Sequence, residues 1–184
     1  MNMTLSSIRT TIGTITFLAG ITSLALGPAA GAAESEFTKP VIDIGIMVKD
    51  SERTARFLTN AIGFKEVAGF PVSADLGRRL GLIDGRATEV RVFVLEGAEP
   101  ATRIKMLSFP EAPGKQADQS FIHSTLGIRY LTLYVKDMNR ALERLKQAGV
   151  RTLGETPLDM GNGNWLVTVK DPDDNFIELI GPRH

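Results

Sequence analysis

Two stretches of this chain alternate apolar and polar residues with a period of two and then change to a helical period. Ile42, Ile44, Ile46 and Val48 share one side of the first stretch, and Leu131, Leu133 and Val135 share one side of the second. Each therefore predicts a strand with one buried face and one face of different character. An aspartate follows each, Asp50 or Asp137, placed to cap a helix by accepting hydrogen bonds from its unpaired backbone N–H groups. Behind the first cap Ala55, Leu58 and Ile62 form a helical stripe, and behind the second Met138, Ala141, Leu142 and Leu145 do the same. Each stripe runs into a glycine, Gly63 or Gly149, able to take the left-handed conformation that ends a helix.

The two openings are copies of one another. "IDIGIMVKD" returns as "RYLTLYVKD", with Val48-Lys49-Asp50 matching Val135-Lys136-Asp137 at an offset of 87 residues (135 − 48). Three more strand-like segments follow each helix: around Lys65–Ala68, Thr88–Leu95 and Thr102–Phe109 in the first copy, and Arg151–Thr156, Trp165–Lys170 and Phe176–Ile180 in the second. The pattern predicts an α+β protein in which a β-α-β-β-β unit is made twice, as modules at about 40–109 and 127–182. "SADLGRRLGLIDG" is an extra loop or short helix of the first copy, and the polar, turn-rich residues 110–126 read as the connector.

Composition changes this picture at the N-terminus. Arg9 is the only charge before Glu34, and it precedes an apolar run diluted by Thr, Ser and Gly, then "GPAAGAAES". That order predicts an export signal over residues 1–33, cut near Ala32 or Ala33, with residues 34–184 as a periplasmic or secreted domain. The run falls short of the ~20 strongly apolar residues that span a bilayer, so no membrane association is expected after cleavage. The absence of cysteine excludes disulfides, thiolate metal sites and a cysteine nucleophile. Without Arg9 the chain carries 20 basic against 21 acidic residues, and no basic stripe points to nucleic acid.

With "IDIGIMVKD", "RYLTLYVKD", the helix-ending "AIGF" and the closing "VKDPDDNFIELI" in place, residues 40–182 resemble the vicinal oxygen chelate superfamily, which includes glyoxalases, bleomycin-resistance proteins and extradiol dioxygenases. The resemblance implies mixed sheets curled around a shared cleft, a homodimer, and metal ligands projecting from the first and last strands of each module. The positions it singles out, seven residues before each "VKD" aspartate and in each closing strand, hold Asp43, Lys105, Tyr130 and Glu178 here. Both histidines common at the first-strand positions are missing.

Three readings of Glu178 stay open. It could join Asp43 and Tyr130 around a divalent metal, though a catalytic metal ordinarily has three firm ligands and Lys105 would oppose it. Lys105 could instead stand in the electrostatic place of a metal, pairing with the acids in a partly buried cleft. Or Glu178 could be a solvated acid without a role. No cofactor is expected, and the metal is the fallback.

The function expected is binding of a small molecule in the inter-module cleft. The alternative is an enzyme, either metal-dependent with unusual ligands or a cofactor-free isomerase with Glu178 as base and Tyr130 as acid. By alternation Met47 joins Asp43, Thr132 and Tyr134 join Tyr130, and Phe176 joins Glu178 as pocket candidates. Arg91 is either an anion clamp or an ion-pair partner, and Trp165 either a core or rim residue or a stacking surface. "DPDDNFIE" is a β-turn rather than a calcium loop, because Phe176 stands where that loop needs glycine.

Overall fold

The computed structural model describes residues 35–95 and 100–184, so the signal expected over residues 1–33 lies outside the described residues. Two four-stranded sheets carry the fold. The first contains β1 (Asp43–Met47), β2 (Phe64–Val72), β3 (Thr88–Leu95) and β4 (Arg103–Leu107); the second contains β5 (Tyr130–Tyr134), β6 (Leu158–Asp159), β7 (Asn164–Lys170) and β8 (Phe176–Pro182). Their strand orders, β1-β4-β3-β2 and β5-β8-β7-β6, are the same, and in each the first strand lies parallel to the last. A parallel pair needs a crossover, which helix α1 (Ser51–Arg56) begins in the first module and α3 (Met138–Gln147) supplies in the second.

Both predicted caps form. Asp50 Oδ1 accepts from Arg53 N at 2.9 Å, and Asp137 Oδ1 accepts from Asn139 N at 2.9 Å and Arg140 N at 3.3 Å. Gly63 and Gly149 close the helical segments at φ 98° and 68°. Between Phe57 and Ile62 the first helix widens into π-helical turns. Thr59 Oγ1 donates to Ala55 O at 2.9 Å, engaging a carbonyl of the preceding turn, and the last bond runs from Gly63 N to Leu58 O.

The helical stripes meet in one core. Ala55, Leu58, Ile62, Met138, Ala141 and Leu145 pack with Phe93 and Ile104 of the first sheet and Val167, Val169 and Leu179 of the second. Each fully buried large side chain there contributes ~1.5–3 kcal/mol of transfer free energy. Arg144 of α3 donates to Ile62 O at 3.1 Å, satisfying a carbonyl at the end of the π-turns. The two modules are thus joined through their helix-side faces.

One expectation is corrected. Residues 151–156 do not form the expected strand: only Thr152 bridges to Val169, and β6 lies later, at Leu158–Asp159. Thr156 turns back, with both its N–H and its hydroxyl donating to Leu153 O, and Gly154 takes φ 57°, so the chain cannot run extended there. The insertion resolves as α2 (Ala74–Arg79), capped by Ser73 Oγ accepting from Leu76 N at 3.2 Å. The predicted turn before β8 is present, with Asp174 at φ 65° and Asp171 Oδ1 accepting from Asp173 N and Asn175 N.

Candidate functional site

Register divides each sheet into a helix side and an open side. In the first module Lys105 is the partner of both Gly45 and Val92, so Gly45, Met47, Val90, Val92, Lys105 and Leu107 share the open side. The β2 strand reaches that side through an irregularity: Val67 pairs with Val92 but Phe70 pairs with Val90, three residues against two. At this bulge a Cβ on Gly69 would sit 2.1 Å from Val90 O, so only glycine allows the approach. The extra residue puts Phe70 and Val72 on the open side.

The α2 segment then lies beside this face. Leu80, Leu82 and Ile83 flank it, with Gly77 seated so close to Ile83 that a Cβ would lie 2.9 Å away, and with Phe70, Val90 and Leu107 they line a solvent-open hollow of about 780 Å³. Arg86 and Asp84 pair with each other at the rim. Lys105 is the charged residue on the sheet wall of this cavity, and its ammonium lies 2.8 Å from Asp43 Oδ2, with each side chain about one-third exposed, 36% and 37%. That hydrogen bond, before the more general attraction of Lys105, Arg103 and Lys39, holds the Asp43 carboxyl below its ordinary value. One acid therefore stands among three cations.

The second module repeats the geometry with other chemistry. Glu178 is the ladder partner of Thr132 on one side and Thr168 on the other, and its Oε2 accepts from Thr132 Oγ1 at 2.8 Å. Tyr130 and Tyr134 lie on the same open side and are exposed, Tyr134 to 79%. Phe176 is buried, with Lys170 Nζ 4.9 Å above its ring. A second cavity, about 230 Å³, runs between β1 and β5, where Gly45 and Met47 face Tyr130 and Phe176. Gly45, Ile46 and Met47 line both cavities, so the two hollows meet at β1.

The structure thus brings Asp43 to Lys105 and Thr132 to Glu178, but among the described residues no hydrogen bond or ion pair joins the two pairs. The expected meeting of Lys105 with both acids does not occur. Of the two readings of Arg91, the ion-pair one is observed, and the residue lines a separate hollow with Ser51 and Met106. It is the partner of Met106 and shares the helix side with Phe93, where Glu66 grips it bidentately at 2.7 and 2.8 Å and Glu52 adds a contact at 2.7 Å. Trp165 likewise lies on the core side with Val167 and Val169, under the Arg183 guanidinium at 4.7 Å. Conversely, Leu80, Leu82, Ile83 and Phe70 were missed. The apolar repeat within "LGRRLGLI" is the signal that marks them.

Asp43 already accepts from an ammonium, Glu178 from a hydroxyl, and among the described residues no group of three or more His, Cys, Asp or Glu side chains converges. Also among the described residues, no helix is long and apolar enough to cross a membrane.

Comparison with known proteins agrees with this architecture. The family described as the Glyoxalase/Bleomycin resistance protein/Dioxygenase superfamily matches residues 41–179. A glyoxalase family protein from Bacillus cereus is similar over 83% of this chain and 99% of its own, at 19% identity and a TM-score of 0.68. TnmS3, an antibiotic binding protein from Streptomyces sp. CB03234, is similar over 81% of this chain and 99% of its own, at 22% identity and a TM-score of 0.54. A glyoxylase/bleomycin resistance protein/dioxygenase domain from Frankia sp. EAN1pec covers 82% of this chain and 95% of its own, at 20% identity and the same TM-score, 0.54. These likenesses are of fold. No curated protein matches the chain.

Proposed function

The chain belongs to the Glyoxalase/Bleomycin resistance protein/Dioxygenase superfamily, and on that premise we propose that it is an exported, metal-free binder of a small molecule with an apolar body and an anionic group. The body enters the apolar hollow of the first module and the anion meets Lys105. One observation carries this reading: an apolar hollow of about 780 Å³, within the size range of small-molecule sites, with an ammonium on its wall. Lys105 is paired with Asp43, and Arg103 and Lys39 add positive charge near that carboxylate, which favours an anion beside Lys105.

The hollow continues past Gly45 toward Tyr130 and Phe176, which lets a longer ligand reach the second module. The exposed apolar residues Ile128, Tyr130 and Tyr134 support a homodimer in which a second copy covers this face. Sedimentation equilibrium tests that part, and a monomer at all concentrations rejects it. Glu178, the base the enzymatic alternative needs, accepts from Thr132.

The binding test uses anilinonaphthalene sulfonate, an aromatic body with one anionic group, followed by fluorescence. Lys105→Met should weaken its binding about tenfold, the scale of one charge-assisted contact. Equal affinity in the variant rejects the assignment of the anion to Lys105.

A further inference from the structure

A second hollow lies on the opposite, helix side of the molecule, between the modules. Its volume is about 740 Å³, and Arg53 and Arg56 of α1 face Arg151, which follows α3, across it. Arg53 and Arg56 are three residues apart, the spacing that puts two side chains on one helix face. Phe57, Val150 and Leu153 give it an apolar lining between the charges.

Among the described residues, none of these three guanidinium groups has a hydrogen-bond or ion-pair partner; Arg53 bonds only through its backbone N–H. Four other arginines are paired: Arg91 with Glu66 and Glu52, Arg129 with Gln119 and Ile122 O, Arg144 with Ile62 O, and Arg183 with Asn139. The helix dipole does not account for Arg53 and Arg56, because their helix continues into the π-turns through Ile62 and presents no free carbonyl end beside them.

The acids of this hollow are committed elsewhere. Asp171 accepts from Asp173 N, Asn175 N and Asn175 Nδ2, and Asp174 accepts from Gln116. Lys170 also lines the hollow, but its Nζ donates to Gln119 O at 2.7 Å and lies over the Phe176 ring on the open side. Three guanidinium groups against two acids leave an excess of one positive charge around the cavity.

We propose that this hollow is a binding site for a small multivalent anion, a phosphate ester or a polycarboxylate, held by the forked guanidinium groups of Arg53, Arg56 and Arg151. A guanidinium presents its donors in a plane that matches a phosphate or carboxylate edge, and three of them select for more than one negative charge. This site is separate from the hollow beside Lys105 and does not depend on it.

Calorimetric titration of the purified protein with inorganic pyrophosphate, and in a parallel arm with citrate, tests the proposal at low salt. Saturable binding is expected in at least one arm, and the stronger arm identifies the anion's chemistry. The triple variant Arg53→Ala/Arg56→Ala/Arg151→Ala should bind at least about tenfold more weakly. Its melting temperature should be unchanged, since the groups removed make no hydrogen bond or ion pair among the described residues; Arg56→Glu and Arg151→Glu, each made singly, give the same readout if the triple variant fails to fold. Lys105→Met should bind the anion like the unmodified protein. Absence of saturable binding in both arms, undiminished binding by the arginine variants, or loss in Lys105→Met overturns the proposal.

Discussion

The two modules share a strand order, a capped crossover and a core, yet their open faces have diverged. In the first, the connection between β2 and β3 carries α2 and its following turn, and these flank a hollow whose sheet wall holds the Lys105–Asp43 ion pair. In the second, the matching connection between β6 and β7 is only residues 160–163, and the Glu178–Thr132 pair lies on a face bordered by exposed tyrosines. Gene-scale repetition preserved what builds the sheet. The length of one connection decides which copy has apolar side chains flanking its open face.

The largest effects should come from the glycines that the shared architecture needs. A Cβ on Gly69 would fall 2.1 Å from Val90 O, and one on Gly181 would fall 2.1 Å from Val135 O, backbone atoms that cannot rotate away. Gly69→Ala and Gly181→Ala should each cost ~2 kcal/mol or more, with a single unfolding transition in both, because one core serves both modules. Chemical denaturation followed by fluorescence and by circular dichroism checks this. Separate transitions for the two modules would break the shared-core account.

Which features were legible before any coordinates follows the same division. Asp50 and Asp137 cap as their positions before an apolar stripe require, and the duplicated openings pair as the repeat predicts. The register that sets Lys105 beside Asp43 was also available from aligning "RIKML" with "FIELI". The sequence leaves two readings each for Arg91 and Trp165: β3 is largely apolar on both faces, so a period of two cannot say which face is the open one, while Trp165 belongs to the apolar row of Trp165, Val167 and Val169 in β7. Phe70 was hidden by the bulge at Gly69, which changes parity within one strand. The basic hollow joins α1 to the chain after α3, a proximity that only packing creates.

A smaller effect separates structural charge from site charge. The hydrogen bonds from Arg91, ahead of the opposing effect of burial, hold Glu66 below its ordinary carboxylate value. A depressed folded-state value means that Glu66 stabilises the fold above its unfolded value of ~4.3 and that this contribution is lost as pH falls through the lower, folded value. Glu66→Gln should therefore cost about 1 kcal/mol at neutral pH, a modest figure because the Glu66 side chain is 37% exposed, and nothing in strong acid. Denaturation midpoints measured against pH test it. Binding of anilinonaphthalene sulfonate should be unaffected, since Arg91 lies on the helix side.

Gly45 and Thr132 occupy the same position of the two copies, 87 residues apart, and offer the most direct test of where the ligand sits. Space is open around Gly45, with nothing within 4 Å of an added Cβ, so Gly45→Leu should fold normally while its side chain fills the mouth of the first module's hollow. Fluorescence titration with anilinonaphthalene sulfonate should show binding lost in Gly45→Leu and kept within about twofold in Thr132→Leu. Undiminished binding in Gly45→Leu, with loss in Thr132→Leu, would place the ligand on the second module and contradict the account.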